Sequence, residues 1–367
     1  MLKYLFGFII LLHGLIHCIG FAKAFGYGNI TQLTRGISKA AGCFWLITAI
    51  LFLTATVLFL LKKDAWPVIA IIAAVISQIL IIIAWKDAKF GTLFNVIVLM
   101  VAIPVLANVQ FNKMVAKEVT ALLSQAPKTK VIITRKMLDS LPPVVQQWLI
   151  HSGVVGKEKI QSVRLKQNGS MLIKPGKKWM PFTASQYFTV DDPAFNWQAN
   201  VQMMPFIKIS GRDKFVNGDG RMLIKMLSLI TVANAGGDTK MNGSAMLRFL
   251  AETCWFPTAA LSDYIKWEAV GPLAAKATMR YKGLSVEGIF QFNTNFDMMS
   301  FTCNRWYING KDATLEKWLV ETKSYAIFEG IRIPAKTEVS WKLKSGDFKW
   351  LKLEIAELDF NQPGLYK

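Results

Sequence analysis

The sequence predicts a two-part membrane protein: an N-terminal α-helical transmembrane bundle of about four spans, then a mainly-β C-terminal domain. Three observations carry this. Up to Asn112 the chain holds two acidic residues, Asp64 and Asp87, against eight basic ones, spread through long apolar runs. Beyond that point charge becomes frequent and apolar residues alternate with polar ones, the period of a strand. At 367 residues the chain exceeds one average domain. The expected divisions are 1–112 for the transmembrane region, 113–127 for a helical linker and 128–367 for the β domain.

A membrane-crossing helix needs about 20 mostly apolar residues. Tyr4–Phe25, Ala40–Leu61, Trp66–Trp85 and Phe90–Phe111 qualify, the last interrupted by Pro104. Lys62-Lys63-Asp64 and Lys86-Asp87 mark tight turns. The first run is read as a span rather than a cleaved signal peptide, because no small-residue cleavage site closes it and three spans follow. Four spans place both termini on one side. That side carries Lys3, Lys62, Lys63, Lys113 and Lys117; the other carries Lys23, Arg35, Lys39, Lys86 and Lys89, so the positive-inside count ties. His13 and His17 stand four residues apart on one helix face, the spacing of a metal- or haem-ligating pair. No third ligand is evident. The structural alternative, given more weight, is neutral imidazoles bonded across helices to Asn95, Asn108 or Gln78, with Gly14 and Gly20 permitting close approach.

Past the spans, Phe111–Gln125 reads as a continuing helix, with Met114, Val115, Val119 and Leu122 at helical spacing and Ala126-Pro127 ending it. A short helix follows over Pro142–His151, stopped by Ser152-Gly153. From Gln161 onward alternation dominates, clearest in Ala194–Val201, Phe206–Val216, Ala275–Tyr281, Ser285–Phe292, Ile331–Leu343 and Trp350–Phe360. Turn signals stand at Asn168-Gly169, Pro175-Gly176, Asn217-Gly218-Asp219-Gly220, Lys282-Gly283, Asn309-Gly310 and Ser345-Gly346. Roughly ten strands at hairpin spacing imply an antiparallel sheet that curls or partly closes. One helix interrupts them over Ser244–Cys254, with Ser244 as cap, Met246, Leu247, Leu250 and Ala251 as apolar stripe, and Trp255-Phe256-Pro257 ending it. Lying across the concave face of the sheet would bury that stripe.

The net charge of +19 suits a domain facing anionic lipid headgroups, and no nucleic-acid signature accompanies it. Cys18 and Cys43 lie in apolar runs. Cys254 and Cys303 would bond only in an oxidising compartment, and no CxxC or Cys/His cluster suggests zinc. GxSxG, phosphate-loop and dinucleotide motifs are absent, and no cofactor is expected. His151 is the one histidine beyond the spans; Glu252, Asp263 and Glu268 are the carboxylates available for acid/base work. Arg248 and Glu252, at i and i+4 on the central helix, are the leading polar candidates, with Trp255 beneath them and Arg305 joining from a strand. Read blandly they form an ordinary helix ion pair. Read functionally they stand at the rim of an apolar pocket, where Arg248 holds a headgroup or carboxylate. The Trp and Phe residues are read as core.

Several stretches resemble an uncharacterised family of bacterial membrane-anchored proteins. They are Leu12-His13-Gly14-Leu15-Ile16-His17, Leu141–Leu149, Pro193–Trp197, Leu247–Glu252 with Trp255–Ala259, and Gly330–Pro334. That resemblance implies residence in the bacterial inner membrane and brings no assigned activity. The expected architecture is similar to the lipoprotein-carrier half-barrels, which shelter acyl chains, and this favours an extracytoplasmic β domain. The leading expectation is a non-enzymatic module binding a hydrophobic ligand, membrane lipid or lipidated partner. The alternatives are an enzyme acting on lipid or envelope substrates through Arg248, Glu252 and Arg305, and an assembly scaffold with a filled core. An apolar cavity, a cleft of converging carboxylates or a packed interior would tell the three apart.

Overall fold

The computed structural model describes residues 1–126, 130–309 and 312–366. Pro127, expected to end the linker helix, and Gly310 of the Asn309-Gly310 turn lie outside the described residues. Contacts divide the chain into Met1–Asn112 and Lys113–Lys367.

The first unit holds helices α1 (Leu2–Phe25), α2 (Lys39–Leu60), α3 (Trp66–Ile83) and the one-turn α4 (Trp85–Ala88), and the start of α5 (Gly91–Leu123). Four of these, all but α4, are long and apolar enough to cross a membrane. They are apolar all round: Ile72, Val75 and Ile79 of α3 are exposed although nothing polar balances them, as a bilayer-facing surface would be. Their inner faces use small residues, Ala70, Ala73 and Ala74 against Ile10 and Phe52, so that backbones approach closely. Ser38 caps α2 by accepting from Ala41 N at 3.2 Å. Pro104 does not interrupt the fourth span; α5 runs through it unbroken. A proline removes one N–H from the ladder, a loss that helices at membrane depth tolerate.

In the second unit the end of α5 is joined by α6 (Pro143–Ser152), which Gly153 closes in the left-handed region at φ 78°. Six strands follow: β1 (Ser162–Met171), β2 (Met180–Thr189), β3 (Ala194–Met204), β4 (Ile207–Val216), β5 (Asp219–Met226) and β6 (Ile230–Gly236). Helix α7 (Thr239–Glu252) then leads to seven more: β7 (Ile265–Gly271), β8 (Ala274–Tyr281), β9 (Leu284–Phe292), β10 (Met298–Asn309), β11 (Asp312–Phe328), β12 (Ile331–Leu343) and β13 (Gly346–Phe360). All thirteen form one open antiparallel sheet in the order β6-β5-β4-β3-β2-β1-β13-β12-β11-β10-β9-β8-β7. The sequence undercounts them chiefly at the edges. β6 is almost wholly exposed, so Ile230–Gly236 lacks an inside/outside alternation to read.

α7 touches β4, β5 and β6 and also β9 and β10. β5 and β9 are nine places apart in the sheet, about 43 Å if flat. A helix of 14 residues spans about 21 Å. The sheet therefore curls around α7, which lies on its concave face. Gly220 sets the approach: a Cβ there would meet Ala245 Cβ at 2.7 Å and Met241 O at 2.8 Å, while its N–H donates to Asn242 Oδ1. α7 starts earlier than Ser244, because Asp238 is the cap and accepts from Met241 N at 2.7 Å. Asn168-Gly169 is not a turn but lies within β1, paired to both β2 and β13. Gly169 is needed there because a side chain would strike the Lys352 carbonyl and the Phe182 ring.

The core fills both ends of the curl. Trp148 of α6 lies against Trp267, Phe290 and Phe292, and Phe249 of α7 packs with Phe188 and Phe256. Each buried phenylalanine among these contributes about 1.5–3 kcal/mol, and Trp267 is half-buried. From the end of α5, Glu118 pairs with Arg212 (3.3 Å) and Lys214 (2.8 Å) of β4 and accepts from Asn196 of β3.

Candidate functional site

Between the curled sheet and α7 lies a cavity of about 720 Å³. Its wall is mainly aliphatic and thioether, with Met171 and Met180, Val201, Ile224, Val320 and Leu351 among its residues. That is the size and character of a small-molecule pocket.

A polar chain crosses this wall. Arg248 Nε donates to Glu252 Oε1 at 2.8 Å, and its Nη1 to Asp213 Oδ2 at 3.0 Å. Gln186 Nε2 donates to the other Glu252 oxygen at 2.8 Å. The Arg248 guanidinium lies over the rings of Trp197 (4.8 Å) and Phe195 (5.0 Å), and Trp197 Nε1 donates to Gln167 Oε1 at 2.9 Å. Burial pushes the Glu252 and Asp213 carboxyls above the usual carboxylate range, with Arg248 opposing it. Arg305 is placed differently. Its guanidinium stacks 4.7 Å over Trp318 and 5.9 Å over Trp341, which face each other across β11 and β12. No carboxylate among the described residues pairs with it, and burial lowers its pKa.

The four residues singled out from sequence, Arg248, Glu252, Trp255 and Arg305, all line this one cavity. Arg248 and Glu252 are not an exposed rim pair: their side chains are 15% and 11% exposed. Trp255 is buried in the helical turn after α7. Asp213, Gln167, Trp318, Thr337 and Trp350 also line the cavity and escaped the sequence reading. A signal for two of them exists: Asp213 follows Ile209 and Gly211, and Gln167 follows Val163 and Leu165, at the two-residue spacing of the inward face. A polar residue in the apolar phase of a strand marks a wall position.

Other candidates lie elsewhere. Asp263 and Glu268 are exposed, Glu268 pairing with Lys276 at 2.9 Å. His151 Nε2 meets Asp297 Oδ1 at 3.1 Å, and Arg332 holds both oxygens of that carboxylate at 2.8 and 3.1 Å. Burial would raise the Asp297 pKa, but its bonds to Arg332 leave it lowered. Cys254 and Cys303 are free, buried thiols; burial pushes Cys303 up to about 12 and Cys254 higher still, so neither is reactive.

In the first unit His13 Nε2 donates to Asn95 Oδ1 at 2.9 Å, and Asn95 Nδ2 donates to Gln78 Oε1 at 3.0 Å. His17 Nδ1 donates to the His13 carbonyl at 2.8 Å, so its Nε2 accepts from Ser77 Oγ at 2.9 Å. This is the cross-helix bonding of the structural alternative, with Ser77 as a partner the sequence reading did not name. Among the described residues no group of three or more His, Cys, Asp or Glu is arranged to hold a metal.

Fold and cavity together define a class: a curled, open antiparallel sheet wrapped on one helix, in a chain with four membrane-length helices. The chain belongs to a family of unknown function (DUF6920), whose profile matches residues 139–360. Its structure is similar to that of a LolA superfamily protein from Nitrosomonas europaea, at 10% identity and a TM-score of 0.35, covering 59% of this chain and 94% of that one. A putative outer membrane lipoprotein-sorting protein domain from Vibrio parahaemolyticus is similar at 8% identity and a TM-score of 0.34, covering 61% and 93%. No curated protein matches the chain.

Proposed function

We propose that this protein is a membrane-anchored binding module that shelters a hydrophobic, lipid-like ligand or the lipid group of a partner in its β domain. The observation that carries the proposal is the apolar cavity of about 720 Å³. A filled scaffold would have no use for such a space. An acid/base enzyme would need free carboxylates, and Asp213 and Glu252 are both engaged by Arg248. Within this reading the chain resides in a bacterial inner membrane with the β domain outside the cytoplasm. In the same reading, residues from about 128 onward fold without the spans.

Native mass spectrometry of the full chain, released from mild detergent, tests the binding reading. Co-purified lipid at near one-to-one stoichiometry is expected. Gly211 lines the cavity, and a Cβ there would meet only Trp197 Cζ3, at an ordinary 4.0 Å, so Gly211→Leu narrows the cavity with no clash at its Cβ. That variant should lose the lipid and keep its melting temperature; unchanged lipid content would sink the reading. Reporter fusions after Lys117 test the side, and activity of a cytoplasm-only reporter there would reverse the assignment.

A further inference from the structure

We propose that the ligand is an anionic acyl amphiphile whose acid group is held by Arg305, with further acceptor atoms met by a band of N–H and O–H donors around it. The proposal rests on the hydrophobic-ligand reading above and adds the ligand's chemical class.

It starts from buried polar groups, which in folded proteins nearly always find a partner. Six in the cavity wall find none among the described residues: Gln167 Nε2, Trp255 Nε1, Arg305 Nε, Trp318 Nε1, Thr337 Oγ1 and Trp350 Nε1. Five are N–H groups that can only donate, and the sixth is a hydroxyl that can donate. Four acceptors of the wall, both Glu252 oxygens, Asp213 Oδ2 and Gln167 Oε1, already receive bonds. The cavity thus offers a surplus of donors to whatever enters it.

Their placement is ordered. Arg305, Trp318, Thr337, Trp350 and Gln167 lie on β10, β11, β12, β13 and β1, five successive strands of the sheet. Trp255 joins from the turn after α7. Five strands cover about 19 Å along the sheet, more than one acid group can reach. A ligand using this band therefore carries an acid and additional acceptors, such as ester carbonyls.

Charge selects where the acid goes. Arg248 holds two carboxylates in hydrogen bonds, whereas Arg305 makes no ion pair among the described residues: aromatic faces lie against it, and Asp213 and Glu252 act on it only at longer range. A buried guanidinium with no counter-ion in contact is costly, and an oxyanion on it reduces that cost through a charge-assisted bond. Carboxylate and phosphate share this chemistry.

The test uses the full chain in amphipol, with cis-parinaric acid and its methyl ester as probes and energy transfer from tryptophan as readout. The wild type should bind the acid at least about tenfold tighter than the ester, the size of one charge-assisted bond. Arg305→Met should bring the acid down to the ester's affinity and leave the ester unchanged. Arg305→Lys, which keeps the charge and loses the fork, should retain part of the preference and so serves if Arg305→Met misfolds. Dioctanoyl phosphatidate should displace the acid at micromolar concentration while millimolar inorganic phosphate does not. Equal binding of acid and ester by the wild type, or an Arg305→Met protein that keeps its preference, overturns the inference and leaves the hydrophobic-ligand reading intact. Displacement by inorganic phosphate as readily as by phosphatidate overturns it in favour of a free-anion site. Failure of both probes to bind the wild type removes both readings together.

Discussion

The two units differ in how far their buried polar groups are paired, and in charge. In the first, His13, His17, Ser77, Asn95 and Gln78 form a neutral network in which one side chain's donor meets another's acceptor. In the second, among the described residues, Arg248 carries two carboxylates in contact, Arg305 carries none, and six wall atoms have no hydrogen-bond partner. The network of the first unit is nearly closed, its one buried atom without a partner among the described residues being the acceptor His13 Nδ1. Under the proposed binding role, the spare donors of the wall are the part of the bonding set that the ligand would complete.

The largest expected effect separates the two arginines of the cavity. Arg248→Met strands Glu252 and Asp213 and should destabilise the full chain by about 3–5 kcal/mol in a detergent unfolding experiment. Arg305→Met breaks no ion pair, removes only a longer-range attraction on Asp213 and Glu252, and should lower the melting temperature far less. Equal losses for both would erase the contrast drawn here. In the first unit, a double-mutant cycle of His17→Ala with Ser77→Ala should give a coupling of about 0.6 kcal/mol, typical of hydrogen bonds between membrane helices. A coupling of several kcal/mol, or metal that co-purifies with the wild type and is lost in His13→Gln, would show that more than hydrogen bonding is at stake there.

pH sharpens the comparison within the second unit. Because burial raises Glu252, the folded chain holds that proton more tightly than the unfolded one. The melting temperature of the wild type should therefore gain on that of Glu252→Gln as pH falls from neutral through the raised range to the ordinary glutamate value. Asp297 has the opposite sign. Its lowered pKa gives stability that is present above the ordinary aspartate value and lost as pH falls through the folded one, so Asp297→Asn should narrow its deficit in acid. Differences independent of pH would contradict both directions. The smallest effect belongs to an exposed pair. Lys336 and Glu354 meet at 3.2 Å with more than half of each side chain exposed, and Lys336→Ala should change stability by less than about 0.5 kcal/mol.

What the sequence made legible follows the reach of local signals. The four long apolar helices were plain because each needs only its own composition. α6 and the stripe of α7 were plain because 3.6-residue spacing is local too. The class of the β domain followed from alternation in strands such as β3 and β12. Features decided by distant neighbours were not readable. Gly169 looks like a turn residue until Lys352 and Phe182, far along the chain, are brought against it. Asp238 rather than Ser244 starts α7 because both suit a cap and only packing chooses. Of the site, Arg248, Glu252, Trp255 and Arg305 were named, but their convergence on one cavity depends on the curl. Asp213 was hidden because an acid within an alternating strand reads as an outward residue unless its phase is counted.

The pairing of β1 with β13 has a consequence for how the domain is made. Val163 lies opposite Phe360, so strands almost 200 residues apart meet in the middle of the sheet, while the edges are β6 and β7. Translation therefore delivers the central strand last. Until β13 emerges, β1 through β6 and β7 through β12 are two separate meanders, each presenting an unpaired strand flank and half an apolar trough. The Leu351, Ile355 and Leu358 side chains that complete the trough arrive together with the strand that joins its halves. A ribosome stalled before residue 346 would leave two sticky half-sheets rather than a slightly shortened domain, which makes this late segment the point where a holding chaperone has most to do.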